Sequence, residues 1–511
     1  MRPWSRVLLA LLSSVLFVAT APPLSLWALA PLAWTPLLLA IRGQSAWRAC
    51  ALGFLHGLAT NLLAFYWLVP ALSGTGGLSV VQSALGVVGL CALQGARSAA
   101  LATLLVWLTS RRRWSLPLAA PFVVVLVEGT IPLVFPWSTA NLTQGNVLWL
   151  QLVALGGTAA ASFWLMLMSA LAAEALSAQP RRLGWLLLAG GTCLVGTAVG
   201  YWRLAVIDDA LAQPASSALK VGVVQGNVGA VAQRQVDAVS IHRSLALGLL
   251  EQQPGLDLLV WPETVVSSPT APAVLSRMHR DVLTRDRSLG VRAARIDAPI
   301  LLGLVLTEDV SPASPVPQIS NAAVLFDRTG AVKGTYRKQA LVPLTETALL
   351  PGTEGWLPPI SHFRPGPPGQ YLEFDGHRLG VSICYEDTKA DLIRNSVVEG
   401  RAELLINLTS DSWFAGTQGP ELHLMLARFR AVENGRFLLQ VSNDGMTALV
   451  DPAARIVWML PAERAATKVA AVPWLRGRTG YHAIGAWPIW LSALLILGMS
   501  GWSPRVRWAL A

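Results

Sequence analysis

The chain has 511 residues, 53% of them hydrophobic and only 13% charged, with a formal net charge of +10 and a mean hydropathy of +0.50. Soluble domains carry roughly 25% charged residues, so this composition excludes an ordinary soluble protein and points to a membrane protein. Charge is sparse over roughly the first 200 residues, whereas the stretch from about Asp208 to Arg478 has the make-up of a soluble domain long enough for a substantial core.

A membrane span needs roughly twenty apolar residues. Candidate spans lie at approximately 7–22, 24–41, 49–71, 79–108, 117–136, 152–177 and 184–206, with an eighth at 482–500. This divides the chain into a membrane domain of seven helices over 1–207, a globular domain over 218–475 and a C-terminal transmembrane helix over 482–500. Arg2 and Arg6, Arg42 and Arg48, Arg111 to Arg113, Arg181 and Arg182, and Arg505 and Arg507 make every second connection basic. The alternate connections, around Pro23, at 73–77 and at 138–146, contain no Lys or Arg. By the positive-inside rule both termini are cytoplasmic and the globular domain lies on the opposite face, the periplasm of a bacterium. The competing reading is a cleaved signal peptide ending in VATAP, which would leave seven spans and invert the charge pattern. These anchors account for the net positive charge. There is no basic stripe interleaved with aromatics, so no nucleic acid is expected. Glu128 is a rare charge within a span, placed to pair inside the bundle. Trp67, Trp137, Trp487 and Trp490 stand at span ends, where an interfacial belt is the default.

From Ala218 onward, short apolar runs alternate with helical stretches. The runs at 219–225, 256–261, 299–306, 321–326, 377–383, 402–408, 436–442 and 447–450 read as strands, and those at 231–252, 387–398 and 420–435 as helices. Near-continuous apolar strands alternating with helices predict an α/β architecture of helix-covered sheets. The turns DRTG at 327–330 and DPAAR at 451–455 add hairpins. A four-layer sandwich fits both features, and periodicity does not distinguish it from a single sheet.

Cys50, Cys91 and Cys193 lie in apolar runs of the membrane part, and only Cys384 lies in the globular part. No disulfide can form within that domain, and no Cys/His cluster has zinc spacing. Cys384 is thus either a buried structural thiol or a nucleophile. Its setting, HRLGVSICYEDTKAD, places Glu386 and Asp387 beside it, and neighbouring carboxylates oppose thiolate formation. Two other apolar stretches deliver polar groups. In LLVWPET, Pro262 stops a strand and projects Glu263 from its carboxyl end; in YRKQALVPLTE, Lys338 and Glu346 bracket an apolar loop. Singly, a strand-end Glu or Lys is a solvated surface charge. Together the three stretches supply a base, a cation and a nucleophile.

At these residues the chain resembles the nitrilase superfamily, whose Glu-Lys-Cys triad occurs in this chain order, with Glu263 in WPET, Lys338 in YRKQ and Cys384 in ICYED. The spans, together with VVQGN at 223–227, LVPLTE at 341–346, NLTSDSWF at 407–414, LMLARFRAVENGR at 424–436, SNDGMTA at 442–448 and RTGYH at 478–482, resemble the apolipoprotein N-acyltransferase family within it. The family commonly has Phe-Gly where this chain has Leu344 and Thr345, and Arg in place of Gln440. The resemblance implies a nitrilase-like αββα sandwich carried on about eight membrane helices in the bacterial inner membrane. It also implies transfer of an acyl chain from a phospholipid, usually phosphatidylethanolamine, to the N-terminal amine of diacylglyceryl-cysteine apolipoproteins.

On this reading Glu263 is the general base, Lys338 the oxyanion stabiliser and Cys384 the nucleophile that carries the acyl group as a thioester in a ping-pong mechanism. The net conversion of ester to amide is downhill, so no metal or other cofactor is expected. Glu346 would orient Lys338. If the chain turns sharply at Cys384, Glu386 points away from sulfur and braces the loop, and Asp387 caps the helix that follows. Trp413, Phe414 and Asn443 are candidates for a substrate channel or lid, against core packing for the aromatics and a turn for Asn443. Loops at 347–360 and 411–416 are candidates for apolar contact with lipid. His242, His279 and His423 read as surface residues. A monomer is the default expectation. The rival enzyme is a membrane-anchored amidase that uses water as acceptor and needs a polar rim at Cys384. A transporter or scaffold would be favoured by a broken triad.

Overall fold

The computed structural model describes residues 2–74, 78–177, 180–213, 217–229, 237–275, 296–307, 318–343, 345–347 and 363–501. The chain forms two compact units, Met1–Asp209 with Thr479–Ala511, and Ala210–Arg478.

The first unit is helical. Four of its helices are long and apolar enough to cross a membrane: Ala46–Phe65, Val80–Arg111, Val153–Ser177 and Arg182–Ala212. Four shorter apolar segments, Pro3–Ala19, Trp27–Ile41, Leu116–Thr130 and Trp487–Gly498, overlap the remaining predicted spans without full spanning length. Proline explains two of the shortfalls. The span expected at 24–41 is split into a 3-10 turn, Trp27–Leu32, containing Pro31, and a helix, Thr35–Ile41, with Pro36 in its first turn. The span expected at 117–136 stops at Thr130, ahead of Ile131 and Pro132. Helix Val153–Ser177 kinks at Gly156 and Gly157. Gly157 has φ +67°, and a Cβ there would stand 2.6 Å from the Tyr481 ring, so the position needs glycine twice over. Glu128 does pair inside the bundle. It accepts from the Thr139 amide at 2.7 Å, the Thr139 hydroxyl at 2.8 Å and Ser162 Oγ at 2.6 Å, and lies 3.8 Å from Arg97.

The second unit contains thirteen described strands: β1 (Ala218–Gln225), β2 (Leu258–Val260), β3 (Val266–Thr270), β4 (Ile300–Thr307), β5 (Ile319–Phe326), β6 (Val332–Arg337), β7 (Leu372–Phe374), β8 (His377–Ile383), β9 (Leu404–Thr409), β10 (Leu438–Ser442), β11 (Ala448–Val450), β12 (Ile456–Met459) and β13 (Ala466–Pro473). One sheet runs β13-β1-β2-β4-β5-β6 with β3 beside β4, and the other runs β12-β11-β10-β9-β8-β7. Parallel pairs occupy the centre of each sheet (β1–β2 and β2–β4; β8–β9 and β9–β10), and antiparallel hairpins close the edges. Both predicted hairpin turns are present, between β5 and β6 and between β11 and β12.

The two sheets face one another. Val221, Val223, Val260, Leu301 and Leu325 of the first share a core with Val381, Ile383, Ile406, Leu408 and Leu439 of the second. The outer face of the first sheet packs Ala246 and Leu249 of helix Ala238–Gln252. The outer face of the second packs Ile393 and Val397 of helix Ala390–Val398 with Leu424, Ala427 and Ala431 of helix Gly419–Asn434. The layers are therefore helix, sheet, sheet, helix, as expected of the α/β domain. At roughly 25 cal/mol per Å2 of buried apolar surface, this inter-sheet core is what fixes strand ends in place.

Several predicted boundaries change. The apolar run at 256–261 yields a strand of only three residues, and the helix expected from 231 starts at Ala238, with 230–236 outside the described residues. The helix expected at 387–398 is two pieces, a 3-10 turn at Cys384–Thr388 and a helix from Ala390 with Lys389 at its N-cap. Asp387 is therefore not the helix cap. Strand β13, absent from the sequence expectation, pairs with β1 along its whole length; its alternating Ala, Thr and Lys suit a half-exposed edge and carry no strong strand signal.

Candidate active site

Glu263, Lys338 and Cys384 follow three different strands, and they converge with Glu346 from the loop after β6. Glu263 follows β2, where the chain leaves the sheet through Pro262 and Thr264 has φ +48°. Gly303 of β4 lies directly alongside and donates its amide to the Pro262 carbonyl at 3.1 Å. A Cβ on Gly303 would meet Glu263 Cα at 2.6 Å, so the close approach of the two backbones requires glycine. The Glu263 carboxylate is buried, accepting from Asn321 Nδ2 at 2.7 Å and from the Ser410 amide at 3.0 Å.

Lys338 is the first residue after β6. Its side chain is 1% exposed, with Nζ 2.9 Å from Glu346 Oε1 and 3.5 Å from Glu263 Oε1. Glu346 also accepts from the Val342 amide at 2.8 Å, which folds the 342–346 turn back onto Lys338. Burial disfavours the Lys338 ammonium, but the Glu346 and Glu263 carboxylates outweigh it and hold its pKa above the ordinary lysine value. Burial also raises the Glu263 carboxyl, Lys338 opposes that rise, and the nearby Glu346 charge reinforces it.

Cys384 follows β8 with φ +51°, a conformation rare for a residue with a side chain. The chain turns there at once into the 3-10 turn Cys384–Thr388. Burial and Glu263 push the thiol up to about 12, against the opposing charges of Lys338 and His423. Burial thus favours the neutral thiol over the thiolate. The sharp turn directs Glu386 away from it. The Glu386 carboxylate is fully buried and accepts from the Gln339, Ala340 and Ile383 amides and from the Tyr336 hydroxyl, the last two at 2.8 Å. It ties the Lys338 strand end to the Cys384 strand end. Burial lifts its pKa to about 7, with these amides and Lys338 pulling the other way.

The remaining predicted residues are placed as follows. Asn443 is fully buried and grips Val228, accepting from its amide at 3.2 Å and donating to its carbonyl, which fixes the loop after β1. Phe414 is partly exposed in the short turn Ser412–Phe414; the Trp413 side chain and the loop at 348–360 lie outside the described residues. His279 also lies outside them. His242 and His423, expected at the surface, are both buried.

Residues 220–476 match the carbon-nitrogen hydrolase family, and residues 13–171 match the apolipoprotein N-acyltransferase N-terminal domain. Over 97% of its length the chain is 32% identical to an apolipoprotein N-acyltransferase of Azotobacter vinelandii, covering 94% of that protein. The chain belongs to the apolipoprotein N-acyltransferase family. A second member, from Pseudomonas putida, is 30% identical with 98% of each chain covered. Among solved structures, an amidase from Nesterenkonia sp. aligns with 21% identity and a TM-score of 0.35, over 52% of this chain and 93% of that one.

In this member of the apolipoprotein N-acyltransferase family, two buried asparagines that the sequence does not single out, and His423, which it places at the surface, organise the site. Asn321 of β5 accepts the Lys338 amide on its backbone carbonyl at 2.8 Å while its side chain bridges Glu263 and Glu346. Asn407 of β9 donates to the Cys384 carbonyl at 3.1 Å. His423 stands between Asp387 and Asp411. Asn321 and Asn407 each sit inside an apolar strand, and a polar residue there is the one signal that marks them.

Proposed function

We propose that this chain transfers an acyl group from a phospholipid to the N-terminal amine of diacylglyceryl-cysteine apolipoproteins, with Glu263, Lys338 and Cys384 as its catalytic residues. The observation that carries the reading is the placement of Lys338 Nζ between the buried Glu263 and the half-buried Glu346 carboxylates, near a thiol on a strained turn, in a chain of this family.

The chemistry follows from the charges. Glu263 takes the Cys384 proton as sulfur attacks the ester carbonyl, which leaves the net charge of the site unchanged. An ammonium has three N–H donors, and Glu346 and Glu263 occupy two directions, so the third serves the oxyanion. The C–O bond breaks, the Glu263 proton goes to the departing lysophospholipid oxygen, and a thioester remains on Cys384. The lipoprotein amine then attacks the thioester, again passing a proton to Glu263. The C–S bond breaks, the sulfur recovers that proton, and the product is an amide. Glu346 fixes the Lys338 ammonium and offsets its charge, while Glu386 holds the two strand ends in register. Phosphatidylethanolamine is the donor in this reading. The chain acts as a monomer in the bacterial inner membrane, with 218–475 in the periplasm and both termini in the cytoplasm, an orientation supported by the alternation of basic connections.

Spheroplasts supplied from outside with a charged diacylglyceryl-cysteine peptide test chemistry and sidedness together. Wild type N-acylates the peptide, Cys384→Ala gives none, and Glu346→Ala loses at least tenfold while the protein stays folded. Acylation only after the membrane is opened would reverse the orientation, and full activity of Glu346→Ala would remove that residue from the site.

A further inference from the structure

His423 lies in helix Gly419–Asn434, is 8% exposed, and is bracketed on both ring nitrogens. Nδ1 is 2.8 Å from Asp411 Oδ1, and Nε2 is 3.2 and 3.1 Å from the two oxygens of Asp387. A neutral imidazole has one N–H and can satisfy only one of these carboxylates, whereas the imidazolium donates to both. Nε2 also lies 3.4 Å from the Cys384 carbonyl oxygen, the atom that Asn407 holds from the other side. The three partners come from three places: Asp387 from the Cys384 turn, Asp411 from the loop after β9, and His423 from the helix behind both. Asp411 is itself fixed, accepting from Ser442 Oγ at 3.0 Å.

We propose that His423 is a positioning residue for Cys384: its doubly protonated ring, clamped between Asp387 and Asp411, fixes the strained turn at the nucleophile and sets a positive charge beside it. This rests on the reading of Cys384 as the nucleophile. Burial works against a charged ring here, and Asp387 and Asp411 override it, holding His423 protonated well above the ordinary histidine range. The charged and titratable groups around it are Asp387 and Cys384 on the turn, Asp411 on the loop with Asp444 beyond it, and Lys338 and Glu263 on the far side of Cys384. For the thiolate, His423 and Lys338 are favourable neighbours, and Glu263 and Asp411 are unfavourable ones. The His423 charge thus offsets part of the penalty that burial imposes on the thiolate, while Asp411 works against it.

The test is iodoacetamide alkylation of Cys384 in the full-length protein in detergent at a series of pH values, with the site read by peptide mass spectrometry so that the other cysteines are resolved. Well below the thiol pKa the rate tracks the thiolate fraction, so a rise of one pKa unit slows it about tenfold at fixed pH. His423→Gln, which keeps a donor but loses the charge, is expected to be alkylated about tenfold more slowly by that relation. In the His423→Gln background Asp411 has no imidazolium left to hold and only opposes the thiolate, so His423→Gln/Asp411→Asn is expected to be alkylated faster than His423→Gln. A general loosening of the turn would slow the double variant at least as much, so a double variant no faster than His423→Gln, or a His423→Gln rate within about twofold of wild type, overturns the proposal. Alkylation needs no lipid. If phospholipid fails to acylate Cys384 while the opposed shifts persist, acyl transfer fails and the positioning role stands.

Discussion

In the proposed mechanism Glu263 must be ionised to accept the Cys384 proton, yet burial and the nearby Glu346 charge lift its pKa above the ordinary glutamate value, with only Lys338 and two hydrogen-bond donors pulling it back. The acid limb of thioester formation should accordingly have its midpoint above the usual carboxylate value of about 4.3, with the rate falling as pH drops through it. Lys338, held charged by two carboxylates, contributes no loss on the alkaline side near neutrality. Measuring the rate of acyl-enzyme formation against pH checks this. Glu263→Gln should remove the limb and lower the rate by about 10²–10⁴-fold, and a wild-type midpoint at or below 4.3 would mean that Glu263 is not the base. At this scale the sequence was informative wherever a polar group follows a long apolar run, because a strand end is legible as a place: Glu263, Lys338 and Cys384 all stand out so. Glu386 was legible as a brace only once a sharp turn at Cys384 was assumed, and the left-handed φ of Cys384 provides that turn. His423 was not legible, since the carboxylates that bury and charge it are 36 and 12 residues away.

Strands and helices deliver these groups, and one strand does so through the absence of a side chain. Gly303 of β4 runs against the Pro262–Thr264 backbone, and an added Cβ would meet Pro262 O at 2.5 Å, Glu263 Cα at 2.6 Å and Thr264 N at 2.7 Å. All three atoms are backbone, so nothing flexible can yield. Gly303→Ala should push the Glu263 loop outward, costing about 1–3 kcal/mol of stability as overpacking does. Activity should fall more steeply, by about 10²-fold if the carboxylate moves by roughly 1 Å. Thermal melting beside thioester formation separates the two effects, and a variant with wild-type activity would show that the β2–β4 approach does not place the base. Sequence periodicity located the apolar central strands β1, β4, β5, β8, β9 and β10 to within two residues, because strands buried on both faces read as continuous apolar runs. It missed β3, β7 and β13, which are short or lie half-exposed at the edges, where no core dictates the residues. The helix expected at 387–398 differs for a related reason: the 3-10 turn carrying Cys384 and Asp387 is set by hydrogen bonds from β6, the residues just after it and β9, not by helical periodicity.

For the molecule as a whole, composition separates an apolar, charge-poor part from one with the make-up of a soluble domain, and the chain forms two compact units, Met1–Asp209 with Thr479–Ala511, and Ala210–Arg478. What composition did not give is the length of each apolar helix, since the prolines at 31, 36 and 132 shorten or split segments whose hydropathy alone reads as continuous. Nor did the pattern of apolar runs decide between one sheet and two; that required the strand pairing and the core that Val221 and Leu301 of one sheet share with Ile406 and Leu439 of the other. In the proposed reaction Cys384 carries the acyl chain as a thioester between donor and acceptor. Intact-mass spectrometry of the protein purified from membranes, wild type beside Cys384→Ser and with or without hydroxylamine, tests it most directly. The account predicts a fatty-acyl adduct on the wild type that hydroxylamine removes and that Cys384→Ser lacks. A bare wild-type mass, persisting after incubation with phospholipid, would contradict it and favour a hydrolase of small amides.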